Sequence, residues 1–267
     1  MLKFAANLSM LYPEVPFLER FELAVHSGFK AVEFLFPYAA GLEAVHNAVK
    51  AHHLPVVLFN LPAGEWEKGE RGIAIFPDRR QEFRDGVGEA IRYAQTLGTS
   101  RLNCLAGKRP PELEAGEAWR VLAENVRYAA AELAKAGLTL LVEPINPFDI
   151  PGFFINSTRE VISLLNEVGL SSHSNVKIQY DIYHMQRTQG DIINTFNALK
   201  AHIGHIQIAD NPGRHQPGTG ELHYGRIFQA LEDAQYSDYI GLEYIPLGST
   251  EDSLEWWRHY ELGQPMG

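Results

Sequence analysis

A chain of 267 residues with 45% apolar and 21% charged side chains can bury a sizeable core and carries no compositional mark of disorder. No stretch approaches the roughly 18 consecutive apolar residues of a membrane span, and the opening MLKFAANLSM reads as mature structure rather than a signal, so a cytoplasmic protein without a membrane partner is expected. The single cysteine, Cys104, excludes an intrachain disulfide and a Cys-clustered zinc site, and a formal charge of −10 argues against a nucleic-acid partner while still allowing a small anionic substrate in a locally basic cleft.

Short apolar runs alternate with longer amphipathic ones along the chain. Lys3–Asn7 is a first strand, followed by a helix over Val15–Ser27 that stops at Gly28; Lys30–Phe34 is a second strand, with a helix over Leu42–His52. Pro55–Asn60 is a third strand, followed by a long loop to about Pro77 and a helix over Arg80–Leu97. Arg101–Leu105 is a fourth, with a helix over Glu114–Ala136, and Leu138–Glu143 is a fifth, after which Ser157 caps a helix to Val168. Val176–Asp181, Ile203–Ile208 and Tyr239–Glu243 complete the strands, with helices over Gly190–Lys200, Tyr224–Ala234 and Ser253–Leu262 and a loose tail at Gly263–Gly267.

Eight strand–helix pairs predict a (β/α)₈ barrel, read as a single domain over residues 1–267. A doubly wound sheet fits less well, because Asn7 is followed by LSMLYPEVP rather than a glycine-rich phosphate turn. In a barrel the chemistry gathers at the C-terminal strand ends. Here those ends carry Asn7, Glu33, Asn60, Cys104, Glu143, Asp181, Gln207 and Glu243, and no lysine.

Glu143, Asp181, Gln207 and Glu243 come from four consecutive strands lying about 4.8 Å apart, so they can converge. Three carboxylates and an amide oxygen make a hard donor set suited to one divalent ion, Mg²⁺ or Mn²⁺, although Zn²⁺ is open if a histidine joins. Without a cation the acids repel and raise one another's pKa values. The competing reading is four independent strand-end acids and amides facing water.

The segments LVEPIN, IQYDIYHMQR, HIQIADNPGRHQPGTGE and GLEY, with FAANLSML, VEFLFPY and NLPAGEWEKGERGIA before them, resemble the hydroxypyruvate isomerase family of the xylose isomerase-like barrel superfamily. The resemblance runs from Phe4 to about Trp257. It implies that Glu143, Asp181, Gln207 and Glu243 bind one divalent metal, that Glu143 and Glu243 face each other across the substrate as acid and base, and that His184 lies beside a substrate oxygen. It further implies interconversion of hydroxypyruvate and tartronate semialdehyde through an enediolate that the metal stabilises. Related ketose 3-epimerases carry a histidine where this chain has Gln207, which points away from them. A 2-oxo-tetronate isomerase or ketose 3-epimerase with the same metal site is the nearest alternative, and an abasic-site endonuclease is disfavoured by the acidic charge.

An anionic hydroxy- or oxo-acid substrate calls for cations, and Arg71, Lys108 and Arg214 lie in loops on the expected side of the barrel. Each could equally be a solvated loop charge. Trp66, in the long third loop, suits a lid that excludes water. His205 shares a strand face with Gln207, and Lys177 and Gln179 share one with Asp181, which makes all three candidates for a polar barrel interior. Cys104 reads as a small core residue. A homo-oligomer is compatible with all of this.

Overall fold

Eight short parallel strands carry the chain once around a barrel. In the computed structural model, which describes residues 2–169 and 175–260, these are β1 (Lys3–Asn7), β2 (Val32–Glu33), β3 (Phe59–Asn60), β4 (Arg101–Cys104), β5 (Thr139–Val142), β6 (Val176–Asp181), β7 (Ile203–Ile208) and β8 (Tyr239–Leu242). Neighbours pair in the order β2-β1-β8-β7-β6-β5-β4-β3. A parallel bridge from Val32 to Val56 closes the ring, with the Val32 amide donating to Pro55 O at 3.0 Å and the Val57 amide to Val32 O at 2.9 Å. Pro55 has no N–H to give, and β2 and β3 are shorter than the runs Lys30–Phe34 and Pro55–Asn60 predict. The expected (β/α)₈ architecture is present.

The helices follow the predicted alternation: α1 (Arg20–His26), α2 (Leu42–His52), α3 (Arg80–Leu97), α4 (Ala115–Lys135), α5 (Thr158–Glu167), α6 (Ile182–Thr188), α7 (Ile192–Leu199), α8 (Tyr224–Asp233), α9 (Thr250–Ser253) and α10 (Trp256–His259). Helices α3 and α4 bury Phe83, Val87, Ala90 and Ala118, Leu122, Val126 at three- and four-residue spacing, packing on each other and on β4 and β5. Ser157 caps α5 in a reciprocal capping box with Glu160. Three helices differ from the sequence reading. The first begins at Arg20 rather than Val15, after a short 3₁₀ turn over Phe17–Glu19. Helix α6 was not anticipated: it starts directly on Asp181, whose Oδ1 accepts the Tyr183 amide at 2.8 Å, so one side chain serves both the strand end and the helix cap. The last helix is split in two, because Ser249 caps a turn four residues earlier than expected and Trp256 is drawn onto Phe4 and Phe228. The predicted end at Leu262 and the tail Gly263–Gly267 lie outside the described residues.

Alternation along the strands builds the barrel interior. Phe4, Phe59, Leu102, Cys104, Leu140 and Val142 belong to the main apolar core, whereas Ala5, Ala31, Leu58 and Leu141 form a separate small cluster. Asn7, Glu33, Asn60, Asn103 and Glu143 are buried polar groups, Asn7 hydrogen-bonded to Glu33 and Asn103 to both Asn60 and Glu143, which places them inside the barrel. Cys104, though a strand end, therefore faces the helices rather than the rim. On β7 a register shift opposite Ile178/Gln179 inserts Gly204 as a bulge. A Cβ there would sit 2.6 Å from Lys177 Cβ and 2.7 Å from Leu141 Cδ2, so glycine lets the bulge enter the packed interior, and His205 and Gln207 continue inward above it.

Candidate active site

The mouth of the barrel collects three carboxylates. Glu143 follows β5, Asp181 ends β6 and Glu243 follows β8; all are buried. Gln207, on β7, stands in register with Asp181. Arg214, on the loop after β7, brings Nη2 to 3.4 Å from Glu243 Oε1 and 3.7 Å from Asp181 Oδ2. His184, on the first turn of α6, has Nε2 at 3.5 Å from Asp181 Oδ2 and 3.8 Å from Glu143 Oε1.

Beneath the acids lies a floor of amides and one further acid. Glu33 is fully buried and accepts from Asn7 Nδ2 at 2.9 Å and Gln207 Nε2 at 2.7 Å on one oxygen, with His205 Nε2 at 2.7 Å from the other. A carboxylate only accepts, so Gln207 must turn its NH₂ down to Glu33 and its oxygen the other way, where Gln179 Nε2 donates to it at 2.6 Å. Asn103 donates to Glu143 Oε2 at 2.9 Å and to Asn60 Oδ1 at 3.1 Å. Glycine at position 241 makes room for this layer, since a Cβ there would sit 2.2 Å from Glu33 Oε1.

Burial dominates the electrostatics. It pushes the Glu143 carboxyl up to about 8, reinforced by the charge of Asp181 and opposed by Arg214 and by donors from Asn103 and Gln179. Burial also raises Asp181 to about 6 against the pull of Arg214 and backbone donors, and holds Glu243 well above the usual carboxylate range. His184 is driven well below the ordinary histidine range by burial and by the nearby cations Arg214 and Arg187, so it is neutral.

This donor set fits a cation. Among the described residues Asp181 Oδ2, Glu243 Oε2, Gln179 Oε1 and Asn103 Oδ1 are buried oxygens without a hydrogen-bond donor, an arrangement that is costly unless positive charge compensates it. Arg214 alone does not: its contacts to the acids are longer than the 2.7–2.9 Å of a charge-assisted hydrogen bond. Glu143, Asp181 and His184 present ligand atoms within 4.8 Å of one another, a group that could hold a metal ion.

The remaining predicted cations stand apart from this cluster. Arg71 stacks on Trp66, its Cζ 4.0 Å from the ring centroid, and donates to the carbonyls of Trp66 and Glu70. Trp66 in turn packs on Phe36, with ring centroids 4.9 Å apart. Lys108 is exposed on the turn after β4, where its own backbone forms an antiparallel bridge with Phe153. The two loops are joined where Gly72 meets Gly107: a Cβ on Gly72, at φ +119°, would lie 2.4 Å from Leu105 O.

Residues 21–260 match the family model described as the xylose isomerase-like TIM barrel. The chain belongs to that family. It is 50% identical to the hydroxypyruvate isomerase of Escherichia coli (strain K12) over 260 residues, covering 97% of this chain and 100% of the relative. It is 41% identical to the 2-oxo-tetronate isomerase of Cupriavidus necator, covering 97% and 99%. A crystal structure described as an AP endonuclease, family 2, from Brucella melitensis superposes with a TM-score of 0.92 at 43% identity, covering 97% of this chain and 99% of that one. The full-length similarity to these isomerases identifies the protein as an isomerase. No helix among the described residues is long and apolar enough to cross a membrane.

Sequence reasoning passes over three residues of this cluster. Asn103 is missed because Cys104 is read as the strand end on the rim, which by alternation turns position 103 outward. Glu33 was noted as a strand end but given no partner. Asn146 sits in Asn-Pro-Phe-Asp, a sequence suited to an Asx turn, and reading it that way would have flagged it.

Proposed function

We propose that the protein interconverts hydroxypyruvate and tartronate semialdehyde (2-hydroxy-3-oxopropanoate), a small anionic substrate, with residues 1–267 acting as one cytoplasmic catalytic domain. Glu143 and Glu243 serve as the acid–base pair, and Glu143, Asp181, Gln207 and Glu243 hold one divalent ion, Mg²⁺ or Mn²⁺. The observation that supports this most is the pair of buried glutamates just after β5 and β8, joined by Asp181 around a mouth where Asp181 Oδ2 and Glu243 Oε2 lack donors. The hard oxygen set favours those ions over softer metals.

The reaction moves a carbon-bound proton from C3 to C2 of the substrate, while a hydroxyl proton passes from O3 to O2. One glutamate removes the C3 proton, giving an enediolate, and a glutamate returns a proton at C2. A carboxyl raised toward neutrality is matched to this duty, since a base titrating near the working pH both accepts and releases the proton readily. A bound divalent ion supplies the positive charge against which negative charge develops on the substrate's adjacent oxygens. His184 donates to a substrate oxygen. Arg214, its Nε buried without an acceptor among the described residues, binds the substrate carboxylate, and Arg71 and Lys108 draw the anion toward the mouth.

The 41% relative named a 2-oxo-tetronate isomerase favours a second reading, a four-carbon substrate on the same chemistry. A screen of the Mn²⁺- and Mg²⁺-loaded protein against hydroxypyruvate, tartronate semialdehyde and 2-oxo-tetronates, followed by proton NMR, tests both. Turnover of hydroxypyruvate at the higher kcat/KM supports the first; preference for the tetronate transfers the assignment to the second. Cleavage of abasic duplex DNA without isomerisation would overturn both.

A further inference from the structure

We infer that Asn146 is a positioning residue that fixes the tautomer of His184, so that this histidine is a hydrogen-bond donor to the reacting oxygens and not a metal ligand. The inference rests on the metal-assisted reading above and specifies which groups of that site face the ion. Asn146 is fully buried three residues after Glu143. Its Oδ1 accepts two backbone amides, Phe148 N at 3.0 Å and Asp149 N at 2.9 Å, and its Nδ2 donates to Asp149 Oδ2 at 3.1 Å. Turning the amide over would set NH₂ against two N–H groups and oxygen against a carboxylate. Its orientation is therefore determined by its neighbours.

The same Nδ2 lies 2.7 Å from His184 Nδ1. An NH₂ group can only donate, so Nδ1 must present a lone pair, and the ring proton sits on Nε2. Nε2 is the atom that faces Asp181 and Glu143. Arg214 Nη2, also a donor, lies 3.5 Å from Nε2, at the far limit of a hydrogen bond, so the 2.7 Å contact with Asn146 outweighs it in placing the ring proton; Asp181 Oδ2, 3.5 Å from Nε2 and 3.7 Å from Arg214 Nη2, has no hydrogen-bonded donor among the described residues. A histidine that binds a metal through one nitrogen ordinarily donates its other N–H to a carboxylate or carbonyl. At His184 the polarity is reversed. Of the three groups that lie within ligand distance of one another, Glu143, Asp181 and His184, only the two carboxylates offer lone pairs to an ion.

Asn146→Asp reverses the relay. A carboxylate at 146 accepts from Nδ1–H, which turns the Nε2 lone pair toward the acids, and Arg187, 3.1 Å from Asp149 Oδ1, offsets the added charge beside Asp149. Side-chain ¹⁵N NMR of the wild-type protein should show His184 with Nδ1 unprotonated and Nε2 protonated, a measurement that needs no variant. Co²⁺ titration should show Asn146→Asp binding about 10- to 100-fold tighter than wild type, with a new histidine-to-cobalt absorption and reduced kcat. The gain should vanish in the Asn146→Asp/His184→Gln double variant. A wild-type His184 protonated at Nδ1, or a folded Asn146→Asp with unchanged Co²⁺ affinity, overturns the inference; a merely structural asparagine would lower Tm and leave the tautomer alone. Glu143→Gln, included as a control, separates the two levels. Unchanged Co²⁺ affinity in that variant sinks the metal reading, and the NMR result still decides the tautomer.

Discussion

Glu143 and Glu243 differ from ordinary strand-end acids in being buried, raised in pKa and set around one mouth. If they are the acid–base pair, Glu143→Gln and Glu243→Gln should each lower kcat by at least about 10²- to 10⁴-fold, the usual worth of general acid–base help. Circular dichroism should remain unchanged, because glutamine keeps the side chain's shape while removing its charge and its proton chemistry. Near-normal turnover in both would remove them from that role. Arg71 presents a different case: its guanidinium is held on Trp66 and on two backbone carbonyls, away from the acids. Its expected contribution is attraction of the anion, so Arg71→Ala should raise KM several-fold with little change in kcat, and the effect should shrink as salt is added. A fall in kcat with KM unmoved would assign it to the chemical step instead.

Among elements, the loop between β3 and α3 is long but anchored. Gly72 touches the loop after β4 backbone to backbone, the Gly72 amide donates to Ala63 O at 3.0 Å, and the Ile75 amide donates to Ala106 O at 3.2 Å. Gly72→Ala should therefore destabilise the protein by about 1–3 kcal/mol in chemical denaturation, combining an unfavourable positive φ with a clash against a carbonyl. It should also quicken proteolysis within residues 61–79 ahead of global unfolding. Equal protease resistance would show that the loop is held elsewhere.

This scale also shows what could be read from sequence and what could not. The eight strands and the rim position of Glu143, Asp181, Gln207 and Glu243 followed from two-residue alternation ending in polar groups, a signal local to each strand. Helix α6 did not, because its cap is Asp181 itself, already assigned to the strand end. The bulge at Gly204 was hidden because a lone glycine in a strand fits several geometries. The direction of each amide, at Gln207, Asn103 and Asn146, depends on partners more than a dozen residues distant, or, for Asn146, on a turn and on His184 38 residues away.

At the scale of the whole molecule, the acid cluster couples stability to pH and to metal. In the unfolded chain Glu143 releases its proton near 4.5, whereas the folded protein holds it to about 8; Asp181 moves from 3.8 to about 6. Between those values the folded state binds more protons than the unfolded one, so stability falls as pH rises from about 4 to about 8. With a chelator present, Tm should decline across that window, more steeply than in Glu143→Gln. Saturating Mn²⁺ should flatten the slope and raise Tm more at pH 8 than at pH 5.5, since the ion favours the ionised acids and competes with their protons. Identical slopes in the wild type and the variant would show that Glu143 ionises freely in place.

The cavity that Gly241 leaves for Glu33 has a consequence for how the barrel can vary. The two residues stand on β8 and β2, on either side of β1, and one supplies the volume that the other occupies. Enlarging position 241 forces position 33 to shorten, and a shorter acid there no longer reaches both His205 and Gln207. A larger residue at 241 thus fits only with a smaller one at 33, and the orientation of the Gln207 oxygen depends on that pairing.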